Sequence, residues 1–467
     1  MNARTLISLC LAGVLGACTA LGPDYQRPAS TLPDAFAGAA PGDAGAPAVT
    51  PDWWTLYRDP QLDALVAAAR SRNADVRIAI AQLEEAEAAL REAHATLFPQ
   101  VDLGAQGTRS RISTLAAQPV FAGIPVARTD FRAVASTAFE LDFWGRLRRG
   151  EEAVRAQLMS TRFARDVTDL TLVGAVTQAY FLLRSLDAQR SVTRETLALR
   201  EESLAMARSR ARGGVVSDLD VAQAEGARAD AAAQLVEIER QRAQVQHQLA
   251  NLTAQPNLAI APGDLRGLPV PPPAPPGLPS ALLDRRPDVR SAEQNLAAAN
   301  ARIGIAKAAM MPSISLTGSL GGQSRDLSDL LAGGARIWSL GLGLTLPIFD
   351  AGRLAARTEQ AEARQRQALA AYQKAAENAF REVADGLVNA ERSAAAEREL
   401  QARADAARRA SVLARKRYEA GYSAYLEVLD AQRTLNDAEV ALVRSRQSRL
   451  SYSVDLMKAL GGGWTAP

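Results

Sequence analysis

Cysteine and histidine are nearly missing from this chain: among 467 residues there are two of each, Cys10 and Cys18, His94 and His247. Loss of a leader containing Cys10 leaves one thiol, so no disulfide framework can form, and an exported chain must draw its stability from packing or oligomerisation. Both histidines sit in polar helical stretches with no neighbour at metal-ligand spacing, which leaves no recognisable metal centre. Net charge is nearly missing too. Fifty-four Lys and Arg against 51 Asp and Glu leave +3, and the arginines alternate with acidic residues, as on solvated helix faces and unlike a nucleic-acid footprint. There is no P-loop, no nucleophile elbow, no glycine fingerprint after a strand and no grouping of acid, base and nucleophile, so the sequence gives an enzyme no machinery. The apolar run from Leu6 to Leu15 is too short for a stable membrane helix.

That run follows Arg4 and ends in Leu15-Gly16-Ala17-Cys18, which makes residues 1–17 an export signal. The ending resembles the lipobox of bacterial lipoproteins, in which the cysteine becomes the new N-terminus and is acylated on its sulfur and its amine. Cys18 is therefore the expected lipid anchor, the one covalent addition, with no other cofactor expected. Several acyl chains at one residue hold a protein stably, whereas a single chain binds marginally. Thr19 follows in place of the aspartate that in this lipoprotein class signals inner-membrane retention, which favours the outer membrane.

The chain contains itself twice. Asp75-Val76-Arg77 and Pro99 return as Asp288-Val289-Arg290 and Pro312, 213 positions on, while Gly145-Arg146-Leu147 and Gly214 return as Gly352-Arg353-Leu354 and Gly421, 207 positions on. The halves thus differ by six residues between Leu103 and Gly145, in what should be a surface loop. The expected division is a lipidated tether over 18–55, repeat 1 over 56–255, a Pro-rich linker over 256–280 and repeat 2 over 281–463.

Each repeat reads as helix, strand pair, very long helix, tight turn, helix. The first helices run from about Leu62 to Leu97 and from about Leu278 to Met310, ahead of Pro99 and Pro312. Gly145 to Ala211 lacks proline, and Val167, Leu170, Val173, Val176, Tyr180, Leu183 and Leu186 recur at helical spacing; Gly352 to Ala420 is its counterpart. These helices of roughly 65 residues span about 100 Å, so two shorter helices end to end match one long one. Gly213-Gly214 and Gly421 stop them behind basic last turns, with Ser217 and Ser423 as N-caps of the returning helices. Those helices carry Leu235, Ile238, Val245, Leu249 and Leu252 around Arg242, and Leu442, Tyr452 and Leu456 around Arg449.

The strands alternate. Trp338, Leu340, Leu342, Leu344, Leu346 and Ile348 oppose Ser339, Gly341, Gly343, Thr345 and Pro347; Ile314, Leu316 and Leu320 oppose Ser313, Ser315, Thr317 and Ser319; Phe131 to Phe143 sets an apolar face against Arg132, Ser136, Glu140 and Asp142. This is the pattern of an outer-membrane strand, apolar toward lipid and polar toward a lumen. Four strands do not close a barrel, and open edges are not tolerated in lipid, so copies must assemble. The fold class expected is an α+β membrane protein, in which three copies would supply twelve strands and twelve helical staves.

At this point the chain resembles the outer-membrane factors of tripartite efflux systems, in the lipoprotein branch of the TolC-like channels. The resemblance rests on Gly22-Pro23-Asp24-Tyr25 with Arg27-Pro28, Trp53-Trp54 with Asp59-Pro60, Arg286-Pro287-Asp288-Val289-Arg290, Pro347-Ile348-Phe349-Asp350 with Gly352-Arg353, and Tyr425-Leu426 with Leu429-Asp430-Ala431-Gln432-Arg433. It implies a homotrimer in the outer membrane of a Gram-negative bacterium, with a 12-stranded β-barrel continued by a long periplasmic α-helical barrel, a periplasmic adaptor at the hairpin tips and an inner-membrane pump of the resistance-nodulation-division type. It places the periplasmic gate at Leu426, Asp430 and Arg433, which share one helix face, and makes Gly214, Val215, Val216, Gly421 and Tyr422 candidates for adaptor contact. The family often has Arg directly after the tyrosine matching Tyr418; Glu419 stands there in this chain, so a latch at that place needs other partners. The implied activity is a passive, gated conduit for drugs or other small molecules. A type I protein-secretion channel of the same architecture, and a lipid-anchored coiled-coil scaffold that conducts nothing, are the alternatives.

Overall fold

The computed structural model describes residues 20–29, 32–33, 35–36, 49–115, 125–271 and 282–463. The leader, Cys18 and parts of the tether and linker lie outside the described residues. The helices are α1 (Pro60–Arg72), α2 (Ala74–Ala95), α3 (Arg146–Arg212), α4 (Asp218–Leu252), α5 (Leu282–Arg285), α6 (Pro287–Ala308), α7 (Arg353–Glu419) and α8 (Tyr425–Ala459). The strands are β1 (Gln100–Arg111), β2 (Ala127–Glu140), β3 (Ser313–Ser324) and β4 (Arg336–Thr345). Among the described residues no helix is long and apolar enough to cross a membrane.

The duplication is kept in the long helices and the first strand of each pair, while β2 has 14 residues against 10 in β4 and α1 has 13 against 4 in α5. Helices α3 and α7 are each 67 residues, α4 and α8 each 35, α2 and α6 each 22, and β1 and β3 each 12. The expected single helix from Leu62 to Leu97 is two helices broken at Asn73. The Asn73 side chain explains the break, since its Oδ1 accepts from the Asp75 N–H at 2.8 Å while its Nδ2 donates to the Leu252 carbonyl at the end of α4, 3.0 Å away. In the second half, Arg286 takes the matching place ahead of Pro287 and donates to the Ala459 carbonyl at the end of α8, 3.1 Å away. Both pairs keep the repeat offsets, 213 from Asn73 to Arg286 and 207 from Leu252 to Ala459. Burial pulls the Arg286 guanidinium down, yet the Asp288 carboxylate, aided by Glu382, holds it above its usual range.

The chain divides into two compact units. The first holds the sheet, antiparallel throughout in the order β1-β2-β3-β4, with β1 and β4 as its open edges. Register places Leu103, Ala135, Leu320 and Trp338 in one row on one face, and Val101, Leu103, Trp338, Leu340, Leu342 and Leu344 are exposed there. The opposite face of β3 and β4 is small and hydroxylated, with Ser319 and Ser339 hydrogen-bonded at 2.7 Å. Strand β2 stops at Glu140, short of the expected Phe143, because Asp142 turns to cap α3 by accepting from the Leu147 and Arg148 N–H groups.

In the same unit the stretch from Ala20 to Pro28 is strapped down. Leu21 donates its N–H to the Trp144 carbonyl, and Asn300 donates to the Pro23 carbonyl. Arg27 grips Glu293 through two bonds of 2.7 and 2.8 Å, and Tyr25 donates to the same carboxylate. Burial, followed by the Glu293 charge, pushes the Tyr25 phenol up, so it stays a donor at neutral pH. Glu293→Ala should release this strap, and chymotrypsin should then cut after Tyr25 at least tenfold faster, since a charge-assisted hydrogen bond contributes about 1.5 kcal/mol or more. An unchanged cutting rate would count against the strap.

The second unit holds the main core, where Trp53, Tyr57, Leu62, Val176, Tyr180, Phe181, Leu183, Leu249, Leu450 and Val454 meet. The face expected on α3 is therefore the packed one. On α8 the expected Leu456 is buried, but Leu450, Val454 and Met457 are the residues that enter the main core, while the expected Leu442 and Tyr452 are only partly covered.

Candidate gate and hairpin tips

The second unit also carries both hairpin tips. Helix α3 ends in a reversing turn in which the Val215 N–H reaches back to the Arg210 carbonyl and the Gly214 N–H to Ala211, with Gly214 at φ 72°. Helix α7 ends the same way, Tyr422 to Arg417 and Gly421 to Tyr418, with Gly421 at φ 80°. Only glycine takes this left-handed backbone at no steric cost, so each tip turns on a single residue. The turns push side chains outward: Val215 is 72% exposed and Tyr422 79%.

The N-caps differ. Ser217 caps α4, with the Asp220 carboxylate accepting from its N–H and its hydroxyl at 3.2 Å each. Ser423 does not cap α8; the helix starts one residue later than expected, so the cap position falls to Ala424, which has no acceptor.

Beneath the tips Leu204, Ala207, Ala224, Tyr418, Tyr425 and Val428 form a small core of their own. The Arg210 guanidinium lies 4.5 Å from the Tyr418 ring centre and donates to the Tyr418 and Glu419 carbonyls. It thereby joins the end of α3 to the end of α7, a clasp that sequence reasoning missed because a basic last turn reads simply as dipole compensation. Glu419 is occupied within its own helix by Arg415, 2.9 Å away.

Leu426, Asp430 and Arg433 lie on the first turns of α8 and line one cavity of about 520 Å³ together with residues of α3 and α4. Arg433 donates to Asp430 at 2.7 Å, and both side chains are largely exposed. The pair therefore neutralises charge locally and contributes little to stability, roughly 0–1 kcal/mol. Across the cavity stands Arg200, only 8% exposed, with an Nε that has no hydrogen-bond partner. Burial pushes its guanidinium down, against the partial support of Tyr425 and Asp230. In the sequence Arg200 is one of many arginines, and nothing set it apart from the solvated ones.

The outer membrane efflux protein profile matches residues 65–255 and 278–462, one stretch for each repeat. The chain belongs to the outer membrane efflux protein family. OprJ, an outer membrane protein of Pseudomonas aeruginosa, is 38% identical to this member over 98% of the chain and 95% of its own length. TtgC, the toluene efflux pump outer membrane protein of Pseudomonas putida, is 37% identical over 99% and 96%. The open-state crystal structure of the MtrE outer membrane channel of Neisseria gonorrhoeae superimposes with a TM-score of 0.85 at 30% identity, covering 96% of this chain and 99% of that one. This efflux family member is thus an outer-membrane protein of the channel fold.

Proposed function

We propose that three copies of this chain form the outer-membrane channel of a tripartite efflux pump, a passive gated conduit for drugs or other small molecules. The observation that carries this reading is the sheet: four strands with two open edges and one exposed apolar face. Such a face belongs in lipid, and its edges demand further strands. Three chains supply twelve, above the practical minimum for closure. The similarity to OprJ and TtgC supports the efflux assignment, and the open-state channel structure of MtrE supports a conduit that can also close.

In this reading Leu426, Asp430 and Arg433 form the periplasmic gate, with three leucines as an apolar constriction beside three paired carboxylates. Cys18 carries the lipid and lies two residues ahead of the strapped stretch that begins at Ala20. The tips, Gly214, Val215, Val216, Gly421 and Tyr422, meet a periplasmic adaptor, and the energy comes from an inner-membrane pump of the resistance-nodulation-division type. Purified protein should run as a heat-sensitive trimer and conduct in planar bilayers. Assembled trimers that never conduct would leave a scaffold as the better account.

The adaptor contact has its own test. Val215→Asp combined with Tyr422→Ala should weaken adaptor binding by about 10- to 100-fold, the range for losing one or two anchoring side chains from an interface. Trimer yield and bilayer conductance should stay at parental levels. Unchanged adaptor affinity in a pull-down titration would show that these side chains serve only turn packing.

A further inference from the structure

The strand register assigns every side chain of the sheet to one of two faces, and charge divides between them unevenly. The polar face carries both signs, with Asp102, Asp130, Arg132 and Glu140 among them. The apolar face carries charge at three positions only, and all three are arginine: Arg109 and Arg111 on β1 and Arg336 on β4. All three are exposed. All three also lie at the same end of the sheet, the end where β1 leads to β2 and β3 to β4 through loops, opposite the end that joins the helices.

Their depth follows from the apolar band. On β4 the outward positions run Leu344, Leu342, Leu340, Trp338, and then Arg336, and in the sequence past the strand the apolar alternation continues with Leu346 and Ile348. With the strand extended through Ile348 in the closed barrel, ten steps of about 3.3 Å tilted by about 40° rise about 25 Å, the height of the lipid-facing band of an outer-membrane barrel. Trp338 closes the band as an interfacial aromatic, and Arg336 stands one outward position past it. On β1 the outward side chains Val101, Leu103 and Ala105 give way to Gly107, whose space the Phe131 ring covers, and then to Arg109 and Arg111. Both edge strands thus leave hydrocarbon and enter the headgroup layer on arginine.

We infer that Arg109, Arg111 and Arg336 form a binding surface for the phosphate-bearing headgroups of the outer leaflet. The inference rests on the reading of the sheet as part of a closed barrel in the outer membrane. In that barrel the β4 edge of one copy meets the β1 edge of the next, so Arg336 of one copy and Arg109 and Arg111 of its neighbour fall on adjacent strands, three such sites per trimer. With no carboxylate among the outward strand positions, that face holds nothing that repels phosphate. Arginine, with its planar fork of donors, grips phosphate in two-point fashion where a lysine offers a point charge. Each site would tie together two copies at their seam through lipid.

The test titrates the detergent-purified trimer with bis-phosphorylated lipid A and with lipid A stripped of phosphate, reading bound lipid by native mass spectrometry. The wild type should prefer the phosphorylated form, roughly fivefold per arginine and on the order of a hundredfold for three. Arg109→Gln/Arg111→Gln/Arg336→Gln should abolish that preference, and the Arg→Lys triple should keep part of it. If the triple Gln variant fails to assemble, Arg336→Gln alone should lower the preference roughly fivefold. Equal retention of both lipids by the wild type, or an undiminished preference in the Gln variants, overturns the inference. Bilayer conductance of the same preparation separates the two levels: conduction without lipid preference defeats this inference alone, and trimers that never conduct defeat the channel reading beneath it.

Discussion

Arg433→Ala should widen and prolong the channel's openings more than the double variant Asp430→Ala/Arg433→Ala does. In the parent, Arg433 holds Asp430 at 2.7 Å within one helix, so a ring of three such pairs is close to neutral and the helices can draw together around Leu426. Without Arg433 three bare carboxylates face one another. At about 8 Å apart in a water-like dielectric the three repulsions sum to about 1.5 kcal/mol, roughly a tenfold shift from closed to open. Removing Asp430 as well takes away the repulsion and leaves the leucine constriction, so the double variant should fall back toward the parent. Single-channel recordings of the three proteins in planar bilayers decide the matter. Equal open probability for Arg433→Ala and the parent, or a double variant that opens more than the single, would move the gate elsewhere.

The large features were legible in the sequence because duplication and alternation are periodic signals. Two offsets, 213 and 207, separate α2 from α6, β1 from β3, α3 from α7 and α4 from α8 as folded, and the glycines at 214 and 421 stop both long helices through the same turn. The losses are local. Asn73 looked like one more polar helix residue, yet its side chain both starts α2, through Asp75 two residues on, and holds the end of α4, a contact 179 residues away that no local pattern encodes. Ser423 was one position off because capping depends on where the helix axis begins, and the αL glycine upstream sets that only to within a residue. Of the proposed gate, the shared face of Leu426, Asp430 and Arg433 was readable from spacing, and the opposing wall with Arg200 was not. Burial of a cation comes from the packing of three helices, and an arginine-rich sequence masks it.

Asp187→Ala should be among the most damaging single substitutions in the second unit. Asp187 is 1% exposed and accepts from Arg242 at 2.6 Å, from Arg184 at 3.5 Å and from the Gly263 N–H at 3.1 Å. The two arginines in turn hold the carbonyls of Ile260 and Ala261, so one buried carboxylate organises the clamp that fixes the start of the inter-repeat linker to the first hairpin. The second hairpin fixes the linker's other part: Arg446 donates to the Leu268 carbonyl while Glu397 gathers Arg446 and Arg449. Arg242 and Arg449 occupy the same place in the two repeats but act differently: Arg242 holds the linker itself, whereas Arg449 pairs with Glu397, which also holds the linker-binding Arg446. Deleting Asp187 leaves the buried Arg184 and the partly buried Arg242 without their carboxylate, at a cost of about 3–5 kcal/mol. Trimers on heated gels should dissociate about 5 °C lower, and proteases should cut within residues 256–271. Adding Arg184→Met and Arg242→Met should recover much of the loss, because apolar groups of similar length leave no buried charge unpaired. An Asp187→Ala protein that melts with the parent would mean that the clamp is not what holds the linker, and a triple variant weaker than the single would mean that the arginines act through the carbonyls they hold and not through their unpaired charge.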